Sequence, residues 1–344
     1  MTATEWQTSL AAQGASVKNS AVLDYGDARS ELAATASNNV LCDLNHLGLL
    51  EIGGADAVSF LQGQITNDVK LLTGTNAHYS AYCNPKGRML ALFLAFAHYD
   101  HLHLQLNREL LEPIMKRLKI YVMRSNVEIK DVSDSIIKFG LNGPQALSML
   151  APLFSAIPSQ DYELVSLENG AILKLPSITD HSRYQIFTDA INAPTIWNAL
   201  KQNCQLVGKP CWDWLEIQSG IPDVELKTQE QFVPQMLNLD ILNGINFKKG
   251  CYTGQEIVAR THYLGSVKRR TYLAEIACEI APQAGEKIMD AAQNEIGQIV
   301  RVAPNLTGNF DVLAELRIDA VAAGELDYKG AALALKTLPY SLET

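Results

Sequence analysis

The sequence lacks the closely spaced cysteines that form structural metal sites. It contains six cysteines, and no two of them form a C-x-x-C pair. Zinc sites and iron–sulfur clusters use clustered thiolates, so any cluster held by this chain would need ligands from a partner. In a reducing compartment these spacings do not indicate a disulfide framework either. We therefore predict no metal site built from this chain alone.

Long hydrophobic runs and a basic leader are also missing. No window approaches the roughly 18–20 apolar residues that a membrane-spanning helix requires. The first 30 residues have no basic start and no continuous apolar core, so we expect no signal peptide, no membrane partner and a cytoplasmic location. We also find no P-loop, no G-x-S-x-G elbow and no dinucleotide-binding glycine motif, which argues against those enzyme classes.

Positive charge is in deficit. The 344 residues carry a formal net charge of −9 at pH 7, with 47% hydrophobic and 19% charged residues. That composition is typical of a folded globular protein, and the length is enough for two or three domains. A net-negative surface repels phosphate backbones, so the sequence argues against direct nucleic-acid binding.

The pattern of elements predicts an α+β protein with four consecutive parts. Residues 1–39 are polar and alanine-rich, and we expect a loose lead-in with one short helix. Residues 40–133 and 134–264 mix strands with amphipathic helices, one of them capped by Asn107. Residues 265–344 contain short strand-like runs between turn residues, and this pattern predicts a small C-terminal β-barrel.

One motif suggests chemistry: KGCYTGQE, residues 249–256, called here the cysteine motif. Thr253 and Glu256 have the spacing of a capping box, so Cys251 is expected just before a helix N-terminus. The helix dipole, Lys248 and Lys249 would then favour a thiolate and lower the thiol pKa. The alternative stays open that Cys251 is a small buried apolar residue.

Three other groups of residues allow both a functional and a purely structural interpretation. Lys86 and Arg88, in the turn NPKGR, could bind an anionic ligand tail or could be solvated turn charges. The stretch VKRR, residues 267–270, together with Lys248 and Lys249 could form a positive rim or guard a strand edge. For His98, His101 and His103 a metal site is conceivable, but we favour a hairpin with exposed histidines.

The cysteine motif closely resembles the signature K-G-C-Y/F-x-G-Q-E of the YgfZ family. These are folate-binding proteins related to the T-protein of the glycine cleavage system. Five further blocks occur in the family's order: FLQGQITNDV, NPKGRM, LEIQSGIP, FVPQMLNLD and YLGSVKRR. The resemblance covers about residues 40–275, which makes it far more specific than a single short motif.

The resemblance implies a fold, a ligand and a role. The fold is a three-domain ring of the T-protein (aminomethyltransferase) type with a C-terminal barrel. The ligand is tetrahydrofolate or a derivative, and relatives suggest a monomer. The role is to support synthesis or repair of iron–sulfur enzymes, including those that methylthiolate tRNA. The partners would be assembly or client proteins, and Cys251 would be the functional thiol, with transient binding of a cluster as one possibility.

The resemblance also implies folate contacts, with departures. Trp212 would offer an aromatic face, and Lys86 and Arg88 would hold the glutamate tail. Gln218 replaces a glutamate that faces the pteridine, so Glu216 is a substitute candidate. The remaining positions implied are Leu47, where some relatives have an aromatic residue, Tyr252, and Gln255, where T-proteins carry arginine.

The T-protein's catalytic carboxylate has no counterpart. Its G-G-x-x-D-D stretch aligns with GRMLAL, which sets Ala91 and Leu92 at the carboxylate positions. Without a carboxylate, the folate amine loses its electrostatic partner for aminomethyl transfer. Whether the protein is an enzyme is left open at this stage. A folate-dependent one-carbon transferase and a non-catalytic interaction module remain as alternatives.

Overall fold

The computed structural model describes residues 3–178, 181–263, 265–290, 292–324 and 326–342. Within them the chain forms two compact units, each built from discontinuous segments. The first unit comprises the described residues of Met1–Ala57, Leu71–His78 and Leu94–Trp212, and the second those of Val58–Lys70, Tyr79–Phe93 and Asp213–Thr344. The four consecutive parts expected from the sequence stay a prediction about domain boundaries.

Helices and strands alternate along the described chain. The α-helices are α1 Ala3–Ala11, α2 Ala28–Ser37, α3 Ala57–Gln62, α4 Arg108–Val122, α5 Ala146–Leu150, α6 Ala193–Leu200, α7 Lys209–Gln218, α8 Gln255–Tyr263 and α9 Ile318–Ala323. The strands of the first half are β1 Ser16–Lys18, β2 Ala21–Asp24, β3 Val40–Asp43, β4 Leu47–Gly53, β5 Ala77–Cys83, β6 Met89–His98, β7 His101–Asn107, β8 Glu128–Asp131 and β9 Ile136–Gly143. The later strands are β10 Leu164–Leu167, β11 Gly170–Leu175, β12 Ser182–Asp189, β13 Gln205–Val207, β14 Arg269–Ile276, β15 Lys287–Met289, β16 Glu295–Pro304, β17 Phe310–Arg317, β18 Asp327–Tyr328 and β19 Ala331–Lys336.

A six-stranded sheet with the order β10-β11-β12-β9-β3-β13 lies in the first unit. Its pairs are antiparallel except β13 with β3. Trp6 of α1 is 1% exposed and packs edge-on against Trp197, with ring centroids 5.4 Å apart. The expected loose lead-in is therefore wrong. Residues 3–37 form two helices and a hairpin, because a large apolar surface at Trp6 and Leu10 is buried in this core.

A second sheet has five strands in the order β5-β6-β7-β4-β8. Helix α4 covers β4 so closely that a Cβ at Gly48 would lie 2.5 Å from Leu111 Cδ1. Asn107 caps α4, its side chain accepting a hydrogen bond from the N–H of Glu109 at 3.3 Å. The cap and the apolar face with Leu110, Ile114 and Leu118 are confirmed, because both follow from local spacing.

The second unit contains a closed barrel with the order β14-β17-β16-β15-β18-β19. Pairing of β14 with both β17 and β19 closes it. Its core is aliphatic, with Ala274, Ile288 and Val312 almost fully buried. The predicted barrel is confirmed, and its first strand begins at Arg269. Closure removes the exposed sheet edges that short strands would otherwise present.

None of the described helices combines the length and the apolar character needed to cross a lipid bilayer.

Candidate functional site

Cys251 lies on the surface. All six cysteines fall within the described residues, none of them is in a disulfide, and Cys251 alone is exposed. The others are buried or half-buried, and burial raises the pKa of the Cys204 thiol to about 12. The alternative interpretation of Cys251 as a buried apolar residue is therefore wrong. An exposed thiol can meet a partner or a reagent.

Lys249 is the anchor of the cysteine motif. Only 8% of the residue is exposed, and its ammonium donates hydrogen bonds to three backbone carbonyls. The acceptors belong to the 62–67 segment (QGQITN): Gln62 O at 2.8 Å, Ile65 O at 2.6 Å and Asn67 O at 2.8 Å. Burial lowers the pKa of Lys249 to about 8, with Asp68 opposing the shift. The proposed positive rim cannot include this side chain, because its charge is enclosed by carbonyls.

The 62–67 segment also bonds to the chain a few residues before the cysteine motif. Thr66 Oγ1 donates to Gly244 O at 2.7 Å, and Asn67 Nδ2 donates to Asn243 O at 2.7 Å. Sequence reasoning quoted this segment only as part of the resemblance and assigned it no role. Its short polar side chains could have indicated this role, because such side chains often hydrogen-bond to backbone groups where regular secondary structure ends.

Tyr252 is buried directly after the cysteine. Its ring lies under the Lys249 ammonium, with the nitrogen 5.1 Å from the ring centroid. Burial raises the pKa of the Tyr252 phenol above its usual range, and the nearby Cys83 adds to the shift. A cation over an aromatic face adds to the carbonyl contacts, so Lys249 and Tyr252 together fix the backbone on both sides of Cys251.

The NPKG turn (residues 84–87) contacts the cysteine motif. Asn84 closes the turn, its Oδ1 accepting from the N–H groups of Lys86 at 2.9 Å and Arg88 at 3.0 Å. Gly254 has φ +84°, and a Cβ there would lie 2.5 Å from Asn84 O. Gly87 has φ +69° and would place a Cβ 2.9 Å from Ile257 Cβ. The two glycines permit this contact because no side chain separates the backbones.

The two cations of this turn differ in exposure. Lys86 is exposed. Arg88 is half-buried, and its Nη1 donates to Gln231 O at 2.6 Å. The exposed ammonium of Lys86 is thus the better placed of the two for an anionic ligand, because the guanidinium of Arg88 already has an acceptor.

Helix α8 begins at Gln255, which places Gly254 and not Thr253 at the N-cap position. The N–H of Val258 bonds to Gly254 O at 3.4 Å. The predicted N-cap at Thr253 is therefore one residue too early, and Gly254 has no side chain that could form a capping box. The reason is the left-handed backbone of Gly254, which turns the chain just before the helix. Gln255 is half-exposed in the first turn, and Cys251 still precedes a helix N-terminus.

Glu216 is committed to an ion pair inside the second unit. Its Oε2 lies 3.7 Å from Arg301 Nη1, and Asp213 Oδ1 lies 2.8 Å from Arg301 Nη2. Burial opposes the charge of Arg301, but the two carboxylates raise its pKa above the usual value. If Glu216 contacted a ligand, its carboxylate would have to bind both the ligand and Arg301.

Gln218 bonds to the barrel. Its Nε2 donates to Asp311 Oδ2 at 2.7 Å, and Trp214 Nε1 donates to the same oxygen at 3.1 Å. Asp311 Oδ1 accepts from Lys336 Nζ at 2.7 Å and from Asn305 Nδ2 at 3.1 Å. The amide therefore belongs to a buried polar network, which explains a glutamine here: a glutamate would face Asp311 with a like charge.

Trp212 and Leu47 belong to the first unit. Trp212 is 3% exposed, and its ring is so close to Gly140 that a Cβ there would lie 2.2 Å from Trp212 Cζ3. The guanidinium carbon of Arg183 lies 5.5 Å from the ring centroid. Trp212 thus has a packing role whatever else it does. Leu47 is half-buried at the start of β4, opposite Asn107 of β7.

The positions expected to lack a carboxylate are apolar and buried. Ala91 is 0% and Leu92 6% exposed, both within β6.

The described residues contain no cluster of three histidine, cysteine or carboxylate side chains able to hold a metal ion. His103 is buried against Phe96, so the expected exposed hairpin histidines are wrong at this position. The two arginines of the expected positive rim also form ion pairs, Arg270 with Asp240 and Arg269 with Glu315.

The fold of this chain is similar to that of glycine cleavage T-proteins. A crystal structure of the glycine cleavage system aminomethyltransferase T from Bartonella henselae matches with a TM-score of 0.80, at 17% identity over 98% of this chain and 97% of that chain. The family model of the GCVT N-terminal domain matches residues 17–246. The α+β fold of the T-protein type with a C-terminal barrel is confirmed.

Sequence relatives narrow the class. The chain is 32% identical to the "tRNA-modifying protein YgfZ" of Yersinia pestis (strain Pestoides F) over 323 residues, which is 92% of this chain and 96% of the relative. It is 33% identical to the protein of the same name from Escherichia coli O157:H7 (strain EC4115 / EHEC), over 88% of this chain and 94% of that one. The chain belongs to the YgfZ family.

Proposed function

We propose that this protein binds tetrahydrofolate or a derivative and supports the synthesis or repair of iron–sulfur enzymes, and through them tRNA methylthiolation. Cys251 is the functional thiol. The observation that carries the proposal is one exposed cysteine whose backbone is fixed on both sides by buried contacts of Lys249, Tyr252 and Gly254. Membership of a family whose relatives are named tRNA-modifying proteins supports the link to tRNA.

The thiol would act by meeting another molecule. A single thiolate gives a cluster or an iron ion one ligand, and a partner protein supplies the rest. Cys251 precedes the N-terminus of α8, where helix N–H groups favour an anion. We place the protein in the cytoplasm as a monomer, where the partner meets the exposed motif directly.

For folate, the exposed ammonium of Lys86 fits the carboxylates of the glutamate tail. Arg88, Gln255 and Tyr252 lie in the same unit and complete the set that we propose near the tail. Folate supplies a carrier for a one-carbon unit when bound. Trp212 and Leu47 are the candidate contacts of the first unit. Glu216 and Gln218 fit a pteridine poorly, because Arg301 and Asp311 already hold their side chains.

Complementation tests the thiol. Cys251→Ser should fail to restore methylthiolated tRNA, measured by mass spectrometry of digested tRNA, in a strain that lacks its own copy. Cys278→Ser is the matched control, because that thiol is half-buried and its pKa is raised by burial. The control should restore the modification fully. Restoration by Cys251→Ser at equal protein level would reject the role of the thiol.

Titration tests the folate. Tetrahydrofolate should give saturable heat and a change in tryptophan emission with the full-length protein. Lys86→Gln should weaken binding about three- to tenfold, as expected for one partly exposed charge pair. Lys119→Gln, an exposed lysine of α4 outside the proposed contacts, should leave the affinity unchanged. If no saturable binding is seen at physiological folate concentration, folate binding is rejected and a non-catalytic interaction module is the remaining function.

A one-carbon transferase is the second candidate, favoured by the shared fold with an aminomethyltransferase. Its weakness is the apolar pair Ala91 and Leu92. Purified protein supplied with tetrahydrofolate and an aminomethyl donor should form no methylenetetrahydrofolate above background. Formation at enzyme-like turnover would establish the transferase and displace the first proposal.

A further inference from the structure

A separate cavity of about 210 Å³ lies in the first unit, which does not contain the cysteine motif. It opens between the five-stranded and the six-stranded sheet. Its floor and walls come from Leu49 of β4, Phe96 of β6, His103 of β7, Ala171 of β11 and Phe187 of β12. An apolar cavity of about 150 Å³ is enough for benzene, so this one has room for an aromatic ring with a short substituent.

The walls are aromatic. Phe96 stacks on His103 with centroids 5.0 Å apart and planes 8° apart, and Phe187 meets Phe96 at 4.8 Å. Each of these three residues is at most 6% exposed. Flat, rigid side chains offer their faces to a planar ligand at little conformational cost.

The polar side chains at this cavity are two histidines, two carboxylates and one amide: His98, His103, Glu168, Asp189 and Asn169. His103 is 94% buried and its Nδ1 has no hydrogen-bond partner among the described residues. Its Nε2 lies 3.6 Å from Glu51 Oε2, which favours the tautomer with the proton on Nε2 and leaves Nδ1 as an acceptor. Glu168, which is exposed, and Asp189 also line the cavity. Among the described residues that line the cavity there is no lysine and no arginine.

A glycine shapes the entrance. The lining residues Glu168 and Asn169 form the turn between β10 and β11, and Gly170 is the first residue of β11. A Cβ at Gly170 would lie 1.9 Å from Phe187 O, so the turn lies directly on β12. Tyr99 fixes the same turn, its hydroxyl donating to Leu167 O at 2.9 Å. The acidic entrance is therefore held in place and not left to a mobile loop.

We propose that this cavity is a binding site for a small arylalkyl ammonium ion. The ring packs against the cavity-facing sides of Phe96 and Phe187, which contact each other, and the ammonium lies toward Glu168 and Asp189. Aromatic faces and carboxylates both favour a cation, and the unpartnered imidazole nitrogen requires a ligand that donates. An anion would meet like charges at the entrance, so the site selects by charge as well as by shape.

Three probes of one shape test the proposal on the full-length protein: phenethylammonium, 2-phenylethanol and phenylacetate. Phenethylammonium should bind saturably with a Kd of about 1 mM or tighter, and should shift the amide NMR signals of Gly170, Ala171 and Phe187. Phenylethanol should bind at least about threefold more weakly, and phenylacetate more weakly still.

Two variants locate the site. Glu168→Gln should weaken phenethylammonium about threefold, while Glu279→Gln, an exposed glutamate of the second unit, should not. Ala171→Leu should fill the cavity and abolish binding of all three probes. If that variant fails to fold, Glu168→Gln decides. Equal affinity for cation and anion, unchanged affinity in Glu168→Gln, or shifts outside the cavity would each overturn the proposal.

Discussion

Lys249 shows what a single side chain does at this site. A lysine before a cysteine is easily taken as a source of positive charge for the thiol. Here the ammonium is enclosed by the carbonyls of Gln62, Ile65 and Asn67, 182 to 187 residues earlier in the chain. Its contribution is to fix the backbone beside Cys251, because three charge-assisted bonds hold it in one place.

Replacing Lys249 should therefore loosen the motif. Lys249→Met removes three bonds and leaves three carbonyls in a buried environment, which should cost about 3 kcal/mol. We expect a lower thermal unfolding midpoint and a changed rate of Cys251 labelling by a thiol reagent. Lys248→Met is the control, because Lys248 is exposed. Equal midpoints and labelling rates for the two variants would contradict the anchoring role.

His103 should make the first unit sensitive to acid. Burial lowers its pKa to about 3, with His98 and His101 adding to the shift. The unfolded chain binds this proton near pH 6.5, so between pH 6.5 and 3 it holds more protons than the folded one, and stability falls as the pH falls. At pH 5 the loss should reach about 2 kcal/mol.

The variant His103→Phe keeps the stacking on Phe96 and removes the titration. Between pH 7.5 and pH 5 its unfolding midpoint should fall less than that of the wild-type protein, measured by circular dichroism. His181→Phe, outside the two sheets' shared cavity, serves as control and should follow the wild type. Parallel pH curves for His103→Phe and the wild type would refute the assignment.

At the scale of elements, the cysteine motif is a loop held by other loops. Neither of its flanking contacts comes from a regular sheet or helix pair: one partner is the NPKG turn and the other is the 62–67 segment. Glycine makes the first contact possible, and one carbonyl at the end of α3 with two from the loop that follows makes the second. The shape of the motif thus depends on segments distant in sequence.

Two glycines of the motif form a matched pair for a test. Gly254→Ala introduces a Cβ 2.5 Å from Asn84 O at φ +84°, whereas a Cβ at Gly250 meets nothing within 4 Å. We expect Gly254→Ala to destabilise by about 1–3 kcal/mol and to alter Cys251 labelling. Gly250→Ala should stay within about 1 kcal/mol of the wild type. Thermal unfolding and labelling kinetics measure both, and a reversed order would contradict the contact.

At the scale of the whole molecule, charge decides which partners are excluded. The chain carries a net charge of −9, and two of the cations that could have formed a basic rim are paired, Arg270 with Asp240 and Arg269 with Glu315. A role in tRNA modification therefore requires an intermediary enzyme in our proposal, because the surface offers little to attract a phosphate backbone.

Bare tRNA should accordingly not bind measurably at 150 mM salt in a fluorescence anisotropy titration up to about 10 μM protein. Nonspecific contacts at lower salt should weaken steeply as salt is added. Saturable binding that persists at physiological salt would show that the protein itself recognises tRNA, and the indirect role would have to be given up.

Much of the fold follows from local pattern. The barrel strands, the cap at Asn107 and the apolar face of α4 depend on alternation, turn residues and helical spacing, all visible within short windows. Residues 3–37 were predicted poorly for the opposite reason. Trp6 and Leu10 are two large apolar residues in a mostly polar stretch. Their burial depends on Phe139 and Trp197, which lie far away in the sequence.

The site divides in the same way. The sequence by itself determined the family, the net charge and which cysteine precedes a helix, because those properties reside in the order of residues. Only the tertiary structure decided that Lys249 is enclosed, that Gln218 and Glu216 serve Asp311 and Arg301, and that Cys251 is exposed. Each of these depends on atoms from distant segments, since burial and hydrogen-bond partners exist only once the chain has folded.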